Sequence, residues 1–213
     1  VNIGEGLRIT TMVFGGSTHA TGNIVNCGGT LTTGLWLWNN DGQGETLVTG
    51  GSFNNAKTNG LYLTDRDTAF SDPLSYSTGN FGTISGTSFS TIAGGTSVNV
   101  HWNGLGANLG PCTLTMQGGA VVGGLGTGMA MNGAKARVNF SGASPASFDA
   151  ALPTYIVLSN AGATNPSTAV DATLATFGGN AGSAANLAEN FAIAAKVTDK
   201  ADTAGLGLVT VKA

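Results

Sequence analysis

Charge is what this chain of 213 residues has least of: Asp, Glu, Lys and Arg make up 9% of it, against about a quarter in an ordinary soluble domain. Eight basic and eleven acidic residues leave a formal charge of −3, which gives no electrostatic basis for binding nucleic acid or an anionic membrane. Disordered chains combine high net charge with low hydrophobicity, whereas hydrophobic residues reach 41% here; a folded core is expected. Long apolar runs are missing too. The most apolar stretch, 118–131, is broken by six glycines and falls short of the roughly 20 residues of a spanning helix. Helix signal is confined to one or two turns around Ser183–Asn190, with Ser183 placed to cap them.

The residues of catalysis are equally scarce. His19 and His101 are the only histidines, and neither stands at metal-ligand spacing from a cysteine or from the other. The nucleophile elbow and the phosphate loop are absent, and Gly104-x-Gly106 lacks the third glycine of a dinucleotide fingerprint. No enzyme, cofactor or metal is expected on these grounds. The 35 glycines are assigned instead to turns, bulges and close backbone approach. Two acidic spots are weighed for a cation. Residues 39–45, with Asp41 and Glu45, set side-chain oxygens around a tight turn but lack the spacing of a calcium loop. Asp65, Asp67 and Asp72 surround Arg66, which pairs with a carboxylate more readily than it leaves room for a metal.

Cysteine is limited to Cys27 and Cys112. The chain starts at Val1 with no Met and no apolar leader, which is expected of a mature secreted form. In that setting two cysteines are expected to bridge, closing a loop of about 85 residues worth about 4 kcal/mol. Asn139-Phe-Ser141 is a glycosylation sequon.

What the chain does contain is β. Short runs rich in β-branched and aromatic residues, bounded by Gly, Asn, Asp and Pro, recur at Leu7–Phe14, Thr30–Trp38, Leu61–Thr64, Phe81–Ile92, Ser97–Trp102, Cys112–Met116, Lys135–Phe140, Thr154–Ser159, Phe191–Thr198 and Leu206–Lys212. Asp41-Gly42, Asn59-Gly60, Asn103-Gly104 and Asn132-Gly133 are hairpin signals, because both residues tolerate a positive φ. The expected fold is all-β, a single immunoglobulin-like or jelly-roll β-sandwich over 1–213 with many short strands and almost no helix. In Leu35-Trp-Leu-Trp38 the tryptophans share one face and the leucines the other; burial on both faces is favoured over a sugar-binding platform of Trp36, Trp38 and Trp102. In Ser97–Trp102 alternation puts Val98, Val100 and Trp102 on a dry face and Ser97, Asn99 and His101 on a wet one.

Charge is also unevenly placed. From Pro73 to Ala134 there is no Asp, Glu, Lys or Arg. Such a block suits elements buried between sheets, surface hidden against another copy, or a Ser/Thr/Asn exterior. Near the start, Val1, Ile3, Leu7, Ile9 and Val13 all fall on odd positions. An alternating segment with little charge and no proline is a ready strand for a sheet edge, its own or a neighbour's.

The runs Ala136–Gly142, Ser147–Pro153, Thr154–Ser159, Asn190–Val197 and Ala204–Val211 resemble the C-terminal half of secreted bacterial pilin-like β-sandwich subunits, over roughly 78 of the 213 residues. The resemblance implies an immunoglobulin-like subunit that polymerises by donating a terminal strand, here 1–13. The uncharged block and the wide cysteine spacing depart from that pattern. The expected role is a structural subunit of an extracellular filament or fimbria, its partners other copies of itself and a periplasmic chaperone during assembly. A viral or phage jelly-roll shell protein and a carbohydrate-binding module are the alternatives.

Overall fold

The computed structural model describes residues 4–10, 17–38, 45–64, 79–101, 112–132, 136–159, 169–171, 174–181, 197–199 and 208–210, and all regular structure among them is β. The strands come in threes. A first coil runs through β1 (Glu5–Thr10), β2 (Ser17–Thr21) and β3 (Ile24–Asn26), a second through β4 (Thr33–Trp38), β5 (Glu45–Thr49) and β6 (Ser52–Ala56), and a third through β7 (Asn59–Thr64), β8 (Gly79–Ser85) and β9 (Ser88–Thr91). The fourth holds β10 (Thr96–His101), β11 (Cys112–Gln117) and β12 (Val121–Gly124), and the fifth β13 (Thr127–Asn132), β14 (Ala136–Ser141) and β15 (Ala146–Phe148). The sixth holds β16 (Thr154–Ser159), β17 (Ala169–Asp171) and β18 (Ala175–Phe177), followed by β19 (Asn180–Ala181), β20 (Val197–Asp199) and β21 (Leu208–Thr210).

Each strand pairs with the strand one coil later. Sheet A has the order β1-β4-β7-β10-β13-β16-β20, sheet B β2-β5-β8-β11-β14-β17-β21, and sheet C β3-β6-β9-β12-β15-β18-β19. Every pairing among the described residues is parallel except β18 with β19. The all-β expectation therefore holds, and the sandwich gives way to a three-faced parallel β-solenoid. Immunoglobulin-like and jelly-roll folds pack two antiparallel sheets joined by hairpins; here each strand end leads to a different sheet, and pairing waits a whole coil.

Glycine explains why the chain turns corners instead of doubling back. Between the sheet B and sheet C strands of five successive coils stand Gly22, Gly50, Gly86, Gly118 and Gly142, with φ of 65°, 62°, 62°, 64° and 90° in that order. Only glycine adopts this left-handed conformation without steric cost. Asn59-Gly60, by contrast, makes no hairpin and opens β7 inside sheet A; Asn132 closes β13, and Asp41-Gly42, Asn103-Gly104 and Gly133 lie outside the described residues.

The core is a stack of like residues. Register sets Leu7, Leu35, Leu61, Val98, Met129 and Ile156 beside one another in sheet A, and all of them from Leu35 onward are fully buried. In sheet C the column is Val25, Phe53, Phe89, Val122, Phe148 and Phe177. Phe53 and Phe89 stack at 5.8 Å and 11°, and Phe148 and Phe177 at 4.7 Å and 21°. The glycine column of sheet A makes room for these rings. A Cβ on Gly34 would lie 2.9 Å from the Phe53 Cβ and 2.7 Å from the Gly60 carbonyl oxygen; on Gly60 it would lie 3.1 Å from the Phe89 Cβ. The described parts of the uncharged block follow the same plan, with Ile84, Met116 and Val122 buried and Thr83, Ser85, Ser88 and Thr115 on the outside. No helix among the described residues is long and apolar enough to cross a membrane.

Candidate functional site

Sheet A carries a groove where the strand alternation breaks. Strict alternation would send every second side chain outward, yet consecutive residues are buried in each of five coils: Thr33 to Leu35, Asn59 to Leu61, Ser97 and Val98, Gly128 and Met129, Tyr155 and Ile156. The outer face is left with two rows and a trough between them. One row is Glu5, Thr33, Asn59, Thr96, Thr127 and Thr154, of which Thr33 and Asn59 are nearly buried; the other is Arg8, Trp36, Tyr62, Asn99, Ala130 and Val157. Ser97, expected on the wet face, is wholly buried at this break, its hydroxyl donating to the Gly123 carbonyl beside Thr91.

Where the second row is aromatic, the trough deepens into an open groove of about 350 Å³ lined by Gly4, Glu5, Thr32, Thr33, Trp36, Asn59 and Tyr62. Arg8 donates from Nε and Nη2 to the two carboxylate oxygens of Glu5, at 2.8 and 2.7 Å. The same guanidinium lies 4.2 Å over the Trp36 ring, and Tyr62 leans on Trp36 at 5.7 Å and 36°. The Glu5 carboxylate holds the Arg8 pKa above its ordinary value. Across the trough the Asn99 amide donates to Asn59 Oδ1 at 3.0 Å, and along the far row the Asn59 amide reaches Thr33 Oγ1 at 3.5 Å. Sequence alternation placed Trp36 correctly opposite Leu35 and Leu37, but its expected burial is overturned: Trp36 is half-exposed on the outer face while Leu35 and Leu37 fill the core. Trp38 and Trp102 side chains lie outside the described residues, as do residues 39–44, Asp65, Asp67, Asp72 and 183–190.

The cysteines are not brought together. Cys27 follows β3 in the first coil, buried, and is a free thiol; Cys112 opens β11 in the fourth coil on another sheet, its side chain outside the described residues. Three coil steps of about 4.8 Å separate them by roughly 14 Å, beyond the ~7 Å Cα separation a disulfide spans. The expected bridge is corrected to a buried thiol, whose pKa burial pushes upward. Of the leading segment, Leu7 and Ile9 lie in β1 and pair in parallel with Leu35 and Leu37 of their own sheet; Val1, Ile3 and Val13 lie outside the described residues. His19 is exposed on sheet B, His101 half-exposed on sheet A, and Asn139 exposed in β14. Among the described residues no three His, Cys, Asp or Glu side chains converge.

Asn59, Tyr62 and the trough itself went unflagged in sequence. The signal was present as small residues, Gly34, Gly60 and Gly128, one place before an apolar residue in each coil, but it repeats at uneven spacing. No protein-family model, no curated protein and no solved structure matches this chain. Of the runs that resemble pilin-like subunits, three fall on β14, β15 and β16, which belong to three different sheets; Asn190–Val197 and Ala204–Val211 lie largely outside the described residues.

Proposed function

We propose that this chain is a structural subunit of an extracellular filament, a β-solenoid that self-assembles by pairing the edge of its first coil with another copy. The observation that carries this reading is the open end of that coil. Among the described residues no strand lies on the outer side of β1, β2 or β3. Ile24 there is 80% exposed, and Leu7 and Val25 are only partly covered although they continue the core columns. Soluble proteins usually blunt such an edge with charge, proline or a covering loop. The occupant is a second copy because β20 and β21 at the other end run parallel to the same ladders. Head-to-tail contact therefore continues sheets A and B in register, and a heterologous joint that does not close propagates into a fibre. Because β1 is already paired with β4, the joint uses its free side, so no strand need be surrendered by either neighbour.

Negative-stain microscopy and sedimentation test the proposal. Rods that lengthen with protein concentration are expected, and Val25→Lys, which sets a charge at the end of the core, should abolish them while leaving the melting temperature within a few degrees. Monomers at every concentration, or rods unaffected by Val25→Lys, would remove the proposal.

A further inference from the structure

We infer that the groove beside Trp36 and Tyr62 binds an extended, neutral polysaccharide chain. This goes beyond assembly, since one molecule carries the whole site. Three features select the ligand class. The first is shape: the lining comes from three successive coils, Glu5 of the first, Thr33 and Trp36 of the second, Asn59 and Tyr62 of the third, so the groove runs across the strands and suits a linear chain. The second is charge. Both ionic groups at the groove, Glu5 and Arg8, are spent on each other through two hydrogen bonds, and the remaining lining is hydroxyl, amide, backbone and aromatic, so a phosphate or carboxylate polymer finds no unneutralised cation there. The third is mixed polarity. A sugar ring is apolar on its C–H faces and ringed by hydroxyls; Tyr62, half-buried beside Trp36, gives an apolar wall for the former, while the exposed Thr32 hydroxyl and the spare lone pairs of Glu5 serve the latter above a floor of nearly buried Thr33 and Asn59.

The site is also built before any ligand arrives. Arg8 and Tyr62 hold Trp36 between them, and the hydrogen bond from Asn99 fixes the Asn59 amide, so little side-chain freedom remains to be lost on binding.

The test is titration calorimetry of the full chain with soluble hexasaccharides: β-1,4-linked glucose, β-1,4-linked N-acetylglucosamine, and a polygalacturonate hexamer as the anionic control. At least one neutral hexamer is expected to bind with Kd below ~1 mM, and Tyr62→Ala should weaken it by about tenfold or more. Tyr62→Leu, which keeps an apolar side chain at this half-buried position but removes the ring, should weaken it similarly, and Trp36→Phe should largely retain it. Binding of the anionic hexamer alone, no binding of either neutral hexamer, or equal binding by the Tyr62 variants with unchanged melting temperatures would overturn the inference. So would a side-by-side dimer in sedimentation that Tyr62→Ala abolishes, because another copy would then be the occupant. Assembly is read separately: Val25→Lys should leave sugar binding intact.

Discussion

Residue by residue, this fold depends on size more than on charge. Phe89 is buried to 1% and stacks on Phe53, with Gly60 leaving just the space its Cβ requires. Phe89→Ala opens a cavity that a regular stack cannot collapse around, and a loss of about 3–5 kcal/mol is expected, measured as a lower urea midpoint with unchanged slope. Cys27 makes a second residue-scale prediction. Its thiol is neutral in the fold and its pKa is raised by burial, so the folded state holds the proton more tightly than the unfolded one. The stability this contributes is complete below the ordinary thiol range and is lost as pH rises through the raised value. Thermal scans of the wild type across the alkaline range should fall more steeply than those of Cys27→Ala. Native alkylation followed by peptide mapping should leave Cys27 unmodified at neutral pH, whereas unreduced protein two hydrogens lighter than its sequence mass would restore the bridge. The tryptophan between Leu35 and Leu37 shows the limit at this scale: alternation gave its side of the strand, but whether that side meets water depends on which neighbour covers it.

Among elements, each interior strand is held on both sides and each terminal strand on one. In sheet A, β7, β10 and β13 sit between two parallel neighbours, while β1 and β20 have one each among the described residues. Hydrogen exchange followed by mass spectrometry should show the amides of β7, β10 and β13 exchanging slowest and those of β1 and β20 fastest, since local opening is easiest where fewer ladders must break. Uniform protection from β1 to β20 would mean that the first coil is covered by something beyond its own sheet. Strand content was legible in sequence: most of the runs marked as β contain a strand. Partnership was not. A Gly or an Asn-Gly pair tolerates the same backbone whether the next strand doubles back or turns onto a new face, so nothing local distinguishes a hairpin from a solenoid corner. Asn59-Gly60 is the plainest case, for its glycine is there to let a phenylalanine of another sheet approach.

For the molecule as a whole, repetition is real but hidden. Thr33, Asn59, Thr96, Thr127 and Thr154 occupy one position in successive coils, yet the intervals between them differ, so no fixed period emerges from the chain. A solenoid's sequence signature is such a period, and its loss to uneven connections left the sandwich as the natural expectation. The scarcity of charge was legible and retains its meaning: side chains ladder over one another on three outer faces, where Ser, Thr and Asn stack without the repulsion that like charges at the same spacing would cause.

Among the first six coils the intervals vary most at one place. Chain length between a sheet A strand and the following sheet B strand ranges from the short span between Asn132 and Ala136 to the long one between Thr64 and Gly79, while the glycine corner from sheet B to sheet C stays tight. A lineage of such chains can therefore lengthen or trade segments along a single seam without disturbing the ladders. Foreign peptides spliced into that seam would emerge in single file down one side of the rod, making the molecule a display scaffold with its attachment line already drawn.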